Sequence, residues 1–331
     1  MPLPTLSDVH VSQLLTNISV AYAQDLSKFK ANLLSPIVPV TKQSNKYMTF
    51  AKADMHRDSV KLRSPGTEFA NVGYSVSTAT YSADQYGLEH RIPDEIRSNA
   101  DYDVERMGIQ VLLNKFMIRR ERKFVSQFLL ASTWGRDVAG QSGAPDSSGT
   151  QHYFWDGPNA DIINDLAAQC DYVESQTGFR PNRFVCAPAV ARVMRNDPDI
   201  VDRHKYTGTG PVSMDAIAAV CGIGSESDPG KIVVMNAVYN SANENATASM
   251  GFMLGDVGLL MYVAPEPSME QPSATYTFSF SEFDQVRQAG AAAISMWRDE
   301  STKSDVLRGE MFFDMKLVAS DCGVYFSNLL T

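Results

Sequence analysis

What this sequence lacks narrows it before anything it contains. It has no Cys-x-x-Cys pair: Cys170, Cys186, Cys221 and Cys322 stand too far apart to suggest a zinc ribbon or a disulfide framework, so they are expected to be reduced and buried. A signal peptide is missing too, since "MPLPTLSDVHVSQLL" offers neither a basic start nor an apolar run. The most apolar later window, "MGFMLGDVGLLMYVA", is too short for a bilayer and is broken by Asp256, which predicts no membrane span. Histidine is scarce. His10, His56, His90, His152 and His204 are scattered, and none sits four residues from another on a helix to make a paired metal ligand. Positive charge is short as well: 29 Lys and Arg against 38 Asp and Glu leave a formal −9, which argues against a protein that grips nucleic acid across a basic face.

Catalytic signatures fail one by one. "CGIGSESDPGKIVV", residues 221–234, approaches a phosphate-binding loop, but five residues rather than four separate Gly224 from Gly230, and Lys231 is followed by Ile232 instead of a magnesium-ligating hydroxyl. Glu226 and Asp228 would also stand where phosphate oxygens must go. The flanks run helix then strand ("SMDAIAAV", "KIVVM"), the reverse of a phosphate loop, so the stretch is a helix-to-strand connection. "HRD" in "DMHRDSV" lacks the asparagine of a kinase loop, Arg63 standing in its place, and "GYSVS" around Ser75 lacks the closing glycine of a hydrolase elbow. "RNDPDIVDRH" gathers Asp197, Asp199, Asp202 and His204 without a calcium-loop glycine or closing glutamate, and reads as a solvated loop and helix start. No active site, metal or cofactor is expected, and the chain is not read as an enzyme.

What is present is a soluble globular composition, 331 residues with 44% hydrophobic and 20% charged, enough for a sizeable core. Residues 1–40 look like an arm, with an amphipathic piece "VSQLLTNISVAYAQDL" and then "LLSPIVPV", where Pro36 and Pro39 forbid a regular helix. Residues 41–92 are rich in Tyr, Thr, Val and Ser, with turn signals at Ser64-Pro65-Gly66 and Gly73, and predict two long strands joined by a polar, mobile tip. Such a ribbon cannot bury a core of its own and must lie on something else.

The region 93–179 opens on a long helix of about thirty residues from Asp101, roughly 45 Å at 1.5 Å per residue. Two apolar stripes, one through Val104, Met107, Val111, Ile118, Val125 and Leu129, the other through Leu112, Phe116, Phe124 and Phe128, predict a helix covered on more than one side. A long Gly- and Ser-rich loop and a helix, "ADIINDLAAQCDYVESQTG", follow. Residues 180–290 alternate strand and helix patterns, a compact mixed unit, and the end of the chain, 291–331, is mainly strands. The cluster "RRERKF", with Glu121 interleaved, reads as a solvated or salt-bridged helix face that could touch an acidic neighbour or nucleic acid.

In this order, "PIVPVTKQSNKYMTF", "RSPGTEFANVGYSVSTATYSADQYGLEHRIPDEIRSNAD" and "RRERKFVSQFL" resemble the major capsid proteins of tailed bacteriophages, most closely over residues 36–130, with the later fragments "RPNRFVCAPAV" and "SMWRDE" in support. The resemblance implies an α+β Hong Kong 97-type fold: N-terminal arm (1–40), extended two-stranded loop (41–92), spine helix and peripheral domain (93–179), axial domain (180–290) and closing strands returning mainly to the peripheral domain (291–331). It implies hexamers and pentamers that assemble into an icosahedral virion shell around double-stranded DNA, in the host cytoplasm, with a separate scaffolding protein, a portal and a decoration protein as partners. A negative wall facing packed nucleic acid without sticking to it agrees with the charge. By the same resemblance Arg57, Arg63, Glu68 and Tyr74 of the ribbon, and Arg119, Arg120 and Arg122 of the helix, are expected at contacts between subunits. Lys52 and Lys61 lie in the ribbon, but their position does not suggest an intersubunit crosslink. The alternative is an encapsulin-type shell enclosing cargo enzymes.

Overall fold

The computed structural model describes residues 24–205, 212–267, 271–280 and 292–331. The amphipathic piece expected near the N-terminus falls almost wholly outside them. Two sheets carry the fold. The first sets Ile37–Val40, Thr275–Phe280, Ser304–Leu317 and Ala293–Asp299 side by side, with Asp84–Pro93 also paired to the long strand Ser304–Leu317. The second has six strands in the order Gln151–Tyr153, Arg136–Gln141, Gly323–Ser327, Gly258–Met261, Arg183–Cys186, Lys231–Val234.

Sheet membership cuts across the expected segments. The stretch 136–153, expected as a loop, supplies two strands, "RDVAGQ" and "QHY", with most of its Gly and Ser residues in the turn between them. The last strand, Gly323–Ser327, runs between Arg136–Gln141 and Gly258–Met261 in the six-stranded sheet, while Thr275–Phe280 joins the other sheet. Val324, Tyr325 and Phe326 are all buried in this strand, and the Phe326 ring packs against Trp155 and Phe184.

The long helix spans Val104–Phe128, 25 residues or about 37 Å, somewhat shorter than its expectation. It starts where the Asp103 carboxylate accepts the Arg106 N–H at 3.0 Å. One ridge of residues four apart is buried: Val104, Gly108, Leu112, Phe116, Arg120, Phe124 and Phe128. It lies against the long strand, where an added Cβ at Gly309 would come within 2.3 Å of the Phe116 ring, and one at Gly108 within 2.7 Å of His90. The other expected stripe is only partly covered, since Met107 and Ile118 are half-buried and Val111 is exposed. The helix is therefore packed most closely along one ridge, while Glu121 and Leu129 show that cover extends beyond it at places.

Around the six-stranded sheet the helices begin on capping side chains: Asp161 for Ile162–Thr177, Asp197 for Pro198–Lys205 and Ser213 for Met214–Val220. The first ends on Gly178 in the left-handed conformation, φ 76°. All four cysteines are buried and unpaired, and burial pushes the thiols of Cys170, Cys186 and Cys221 up to about 12. Among the described residues no helix is long and apolar enough to cross a membrane.

Candidate interaction surface

The ribbon is rooted in the body and free at its tip. Ser44–Phe50 and Val76–Ser82 pair antiparallel from Ser44 opposite Ser82 to Phe50 opposite Val76. Tyr81 stacks on Phe278 at 4.6 Å and Tyr47 leans on the same ring at 5.3 Å, so a small aromatic cluster clamps the root to the first sheet. The second long strand expected of the ribbon ends at Ser82. From Asp84 the chain leaves its partner and runs along the long strand of the body, Asp84 opposite Phe313 through Pro93 opposite Ser304, where Ile92 is buried and Tyr86 packs half-buried against Phe313. Beyond Phe50 a short helix, Lys52–Met55, replaces the strand, and Lys52 reaches back to Asp321 at 2.5 Å.

On the rest of the ribbon the large apolar side chains stand mostly in solvent. Val60, Leu62 and Phe69 are 91%, 105% and 79% exposed, and Met48, Met55, Val72 and Tyr74 all exceed half. Single exposed apolar residues are ordinary; a run of them on one protruding segment marks a surface that another molecule covers. Sequence reading missed Val60, Leu62, Phe69 and Val72 because the segment as a whole is polar; the signal was their spacing along a stretch whose proline and glycines preclude a core.

The seven residues singled out from the sequence fall into three groups. Arg57, Arg63, Glu68 and Tyr74 are all exposed on the ribbon: Arg57 is 3.9 Å from Asp54, Arg63 lies over the Phe69 ring at 4.0 Å and donates to the Thr67 carbonyl, and Tyr74 leans towards Phe50. Arg119 and Arg122 are exposed on the helix, lying over Tyr86 and Tyr239 at 5.0 and 5.4 Å. Arg120 is the correction. It stands on the buried ridge, 2% exposed, four residues from both Phe116 and Phe124, so its side chain points into its own subunit.

There it works with Glu121, which is fully buried rather than part of a solvated face. The Glu121 carboxylate accepts the N–H groups of Lys30 and Ala31 at 2.8–3.0 Å, and the Arg120 guanidinium donates to Asn32 Oδ1 at 2.7 Å. The two side chains hold the start of the short helix Ala31–Leu34 and so tie the arm to the long helix. Burial lowers the Arg120 pKa to about 10 and raises that of Glu121, the penalty for taking both charges out of water.

Among the described residues no three His, Cys, Asp or Glu side chains converge to hold a metal ion. Asp197 of the acidic stretch accepts the N–H groups of Asp199 and Ile200, which is the work of a helix cap.

No family model matches the chain. The major capsid protein of Burkholderia phage BcepMu is 21% identical to it over 328 residues, covering 96% of each chain. Among solved structures, a phage-related protein of Bordetella bronchiseptica superposes with a TM-score of 0.67 at 20% identity, over 92% of this chain and 93% of its own. The capsid of cyanophage P-SCSP1u gives 0.58 at 12% identity, over 94% and 90%. An encapsulin of Synechococcus elongatus gives 0.57 at 13% identity, over 99% and 96%. At these identities the structural likeness is one of fold, and it runs nearly end to end.

Proposed function

We propose that this chain, which has the Hong Kong 97-type capsid fold, is the major capsid protein of a tailed bacteriophage and builds the shell of the virion from many copies of itself. The observation that carries the reading is the match to a phage major capsid protein over 96% of both chains, with no large region left over on either side. The exposed ribbon agrees with it physically. A segment with Val60, Leu62 and Phe69 in water is poorly designed for a monomer and well suited to lie across a neighbouring copy.

In this reading the subunit has no catalytic work. Its function is adhesion shared among several weak contacts: ribbon, helix face and arm each engage a different neighbour, and simultaneous engagement makes the shell stable although each pair is weak. Arg57, Arg63, Glu68 and Tyr74 lie at the ribbon contact, and Arg119 and Arg122 at the helix contact. Hexamers and pentamers close an icosahedron around double-stranded DNA, assembled in the host cytoplasm on a separate scaffolding protein, with a portal and decoration protein as further partners. The net charge of −9 keeps the wall from adhering to the genome.

A nanocompartment shell is the second reading, favoured by the encapsulin's likeness over 99% of this chain. The phage reading has the curated sequence relative as well. Light scattering behind a sizing column, with negative-stain imaging of the peak, tests the common part: rings of five or six or closed shells are expected, and a chain that stays monomeric even with its scaffolding protein coexpressed refutes both. Contents then separate them, double-stranded DNA for the phage and a cargo enzyme for the encapsulin.

A further inference from the structure

The stretch that failed as a phosphate loop is a rigid, exposed turn with no assigned task. Gly222 and Gly224 sit at φ 68° and 84°, and an added Cβ at Gly224 would fall 2.2 Å from the Gly230 nitrogen, so the backbone closes on itself where side chains cannot fit. Gly224 bridges Pro229, the Ser225 N–H donates to the Asp228 carbonyl at 3.0 Å, and the Asn182 amide holds the Asp228 carboxylate. This leaves Ser225, Glu226 and Ser227 exposed at the apex, and Glu226 forms no ion pair among the described residues. The turn is held in one shape before anything binds, which lowers the entropy cost of docking.

A cleft of about 330 Å³ lies beside the helix Pro188–Asn196, walled by Arg192, Arg195, Val234 and Asn236. Arg192 and Arg195 are one turn apart on one helix face, both exposed, and neither meets a carboxylate among the described residues. Arg97, Arg180, Arg298 and Arg308 each do. On the same wall the Asn236 side-chain oxygen is buried with no hydrogen-bond partner. The cleft thus asks for a carboxylate and for an N–H donor, and an acidic turn with exposed backbone amides supplies both.

The two features sit at opposite ends of one strand. Lys231–Val234 is the edge of the six-stranded sheet, paired only with Arg183–Cys186. The turn feeds its first residue and the cleft lies at its last, about 10 Å away at 3.3 Å per residue. Two unlike patches that meet between neighbouring copies make a head-to-tail contact, and a head-to-tail contact repeated by rotation closes a ring. We propose that the Glu226 turn of one subunit seats in the Arg192–Arg195 cleft of the next copy, its carboxylate held by charge-assisted bonds from the guanidinium groups. The inference rests on the shell reading above and names the residues of one ring contact within it.

Charge reversal and charge exchange test it on the full chain under conditions where the wild type forms rings or shells. Arg192→Glu with Arg195→Glu, and separately Glu226→Arg, are each expected to lower the assembled fraction by about tenfold or more, and combining all three to restore most of it. Because all three side chains are exposed, thermal unfolding of the free subunit should stay unchanged; Arg192→Gln with Arg195→Gln is the gentler pair if it does not. Wild-type levels of assembly from either reversal, or no recovery in the combined chain, overturn the contact while leaving the shell reading intact. Normal shells that hold less DNA when the arginines are reversed would assign the pair to phosphate and overturn the contact as well. A wild type that never assembles refutes the shell reading itself.

Discussion

Arg120 and Glu121 show how far a residue's meaning depends on which side of a helix it occupies. In sequence they are two charges in a basic cluster; in the fold they are the arm's anchor. Replacing Glu121 with Ala leaves the buried Ala31 N–H and the half-buried Lys30 N–H without their acceptor and removes a compensating charge from Arg120, so a loss of about 2–4 kcal/mol in unfolding free energy is expected by denaturant titration. An unchanged midpoint would show that the arm is held by something else. Asp165 gives a pH prediction. Burial pushes its carboxyl up to about 7 from 3.8, partly opposed by the bond it accepts from the Trp155 indole N–H at 3.1 Å. The folded state therefore binds this proton more tightly than the unfolded chain does. Its contribution to stability is fullest below pH 3.8 and is lost as the pH rises through about 7. Asp165→Asn, which keeps an oxygen for the indole, should raise the melting temperature relative to wild type at about pH 8 and lose that advantage near pH 4. Parallel melting curves across that range would refute the assignment.

At the scale of elements, the long helix and the long strand Ser304–Leu317 approach closely because each offers a glycine where the other is bulky: Gly309 under Phe116, Gly108 over His90 and Leu307. Gly309→Val should force Phe116 from its place and cost about 1–3 kcal/mol, seen as a lower denaturation midpoint. The helix itself was legible, and so was its buried face in part, because Leu112, Phe116, Phe124 and Phe128 repeat at helical spacing. Arg120 was not, since its type argued for solvent while its position in the same four-residue series argued for the core. The turn at 221–230 was read correctly as a helix-to-strand connection from its glycines and flanking patterns. Strand partners were not legible, as Gly323–Ser327 pairing with Arg136–Gln141 joins residues nearly two hundred apart.

For the whole molecule, the ribbon is where the stability of one chain and the stability of the proposed shell part company. Its root contributes to the fold through Tyr47, Tyr81 and Phe278, whereas its tip buries little. Deleting residues 55–75 should therefore leave a soluble subunit with an unchanged far-ultraviolet spectrum and melting transition that cannot form stable shells. Normal particles in negative stain from that deletion would refute the ribbon's role. Lys52 lies outside the deletion, and its ion pair with Asp321, between two side chains both more than 40% exposed, is too solvated to govern either outcome.

The sequence alone determined that a ribbon, a long helix, alternating strands and helices and closing strands follow one another, because turn chemistry and hydrophobic period are local properties carried by neighbouring residues. It also determined the lack of a recognisable reaction-centre motif, since such motifs need particular residue types at fixed spacings. Only the tertiary structure decided which sheet each strand joins, that Asp84–Pro93 belongs to the body rather than the ribbon, and that Arg120 and Glu121 face inward. Those outcomes depend on burial, and burial is set by partners distant in the chain, whose contribution no local pattern records.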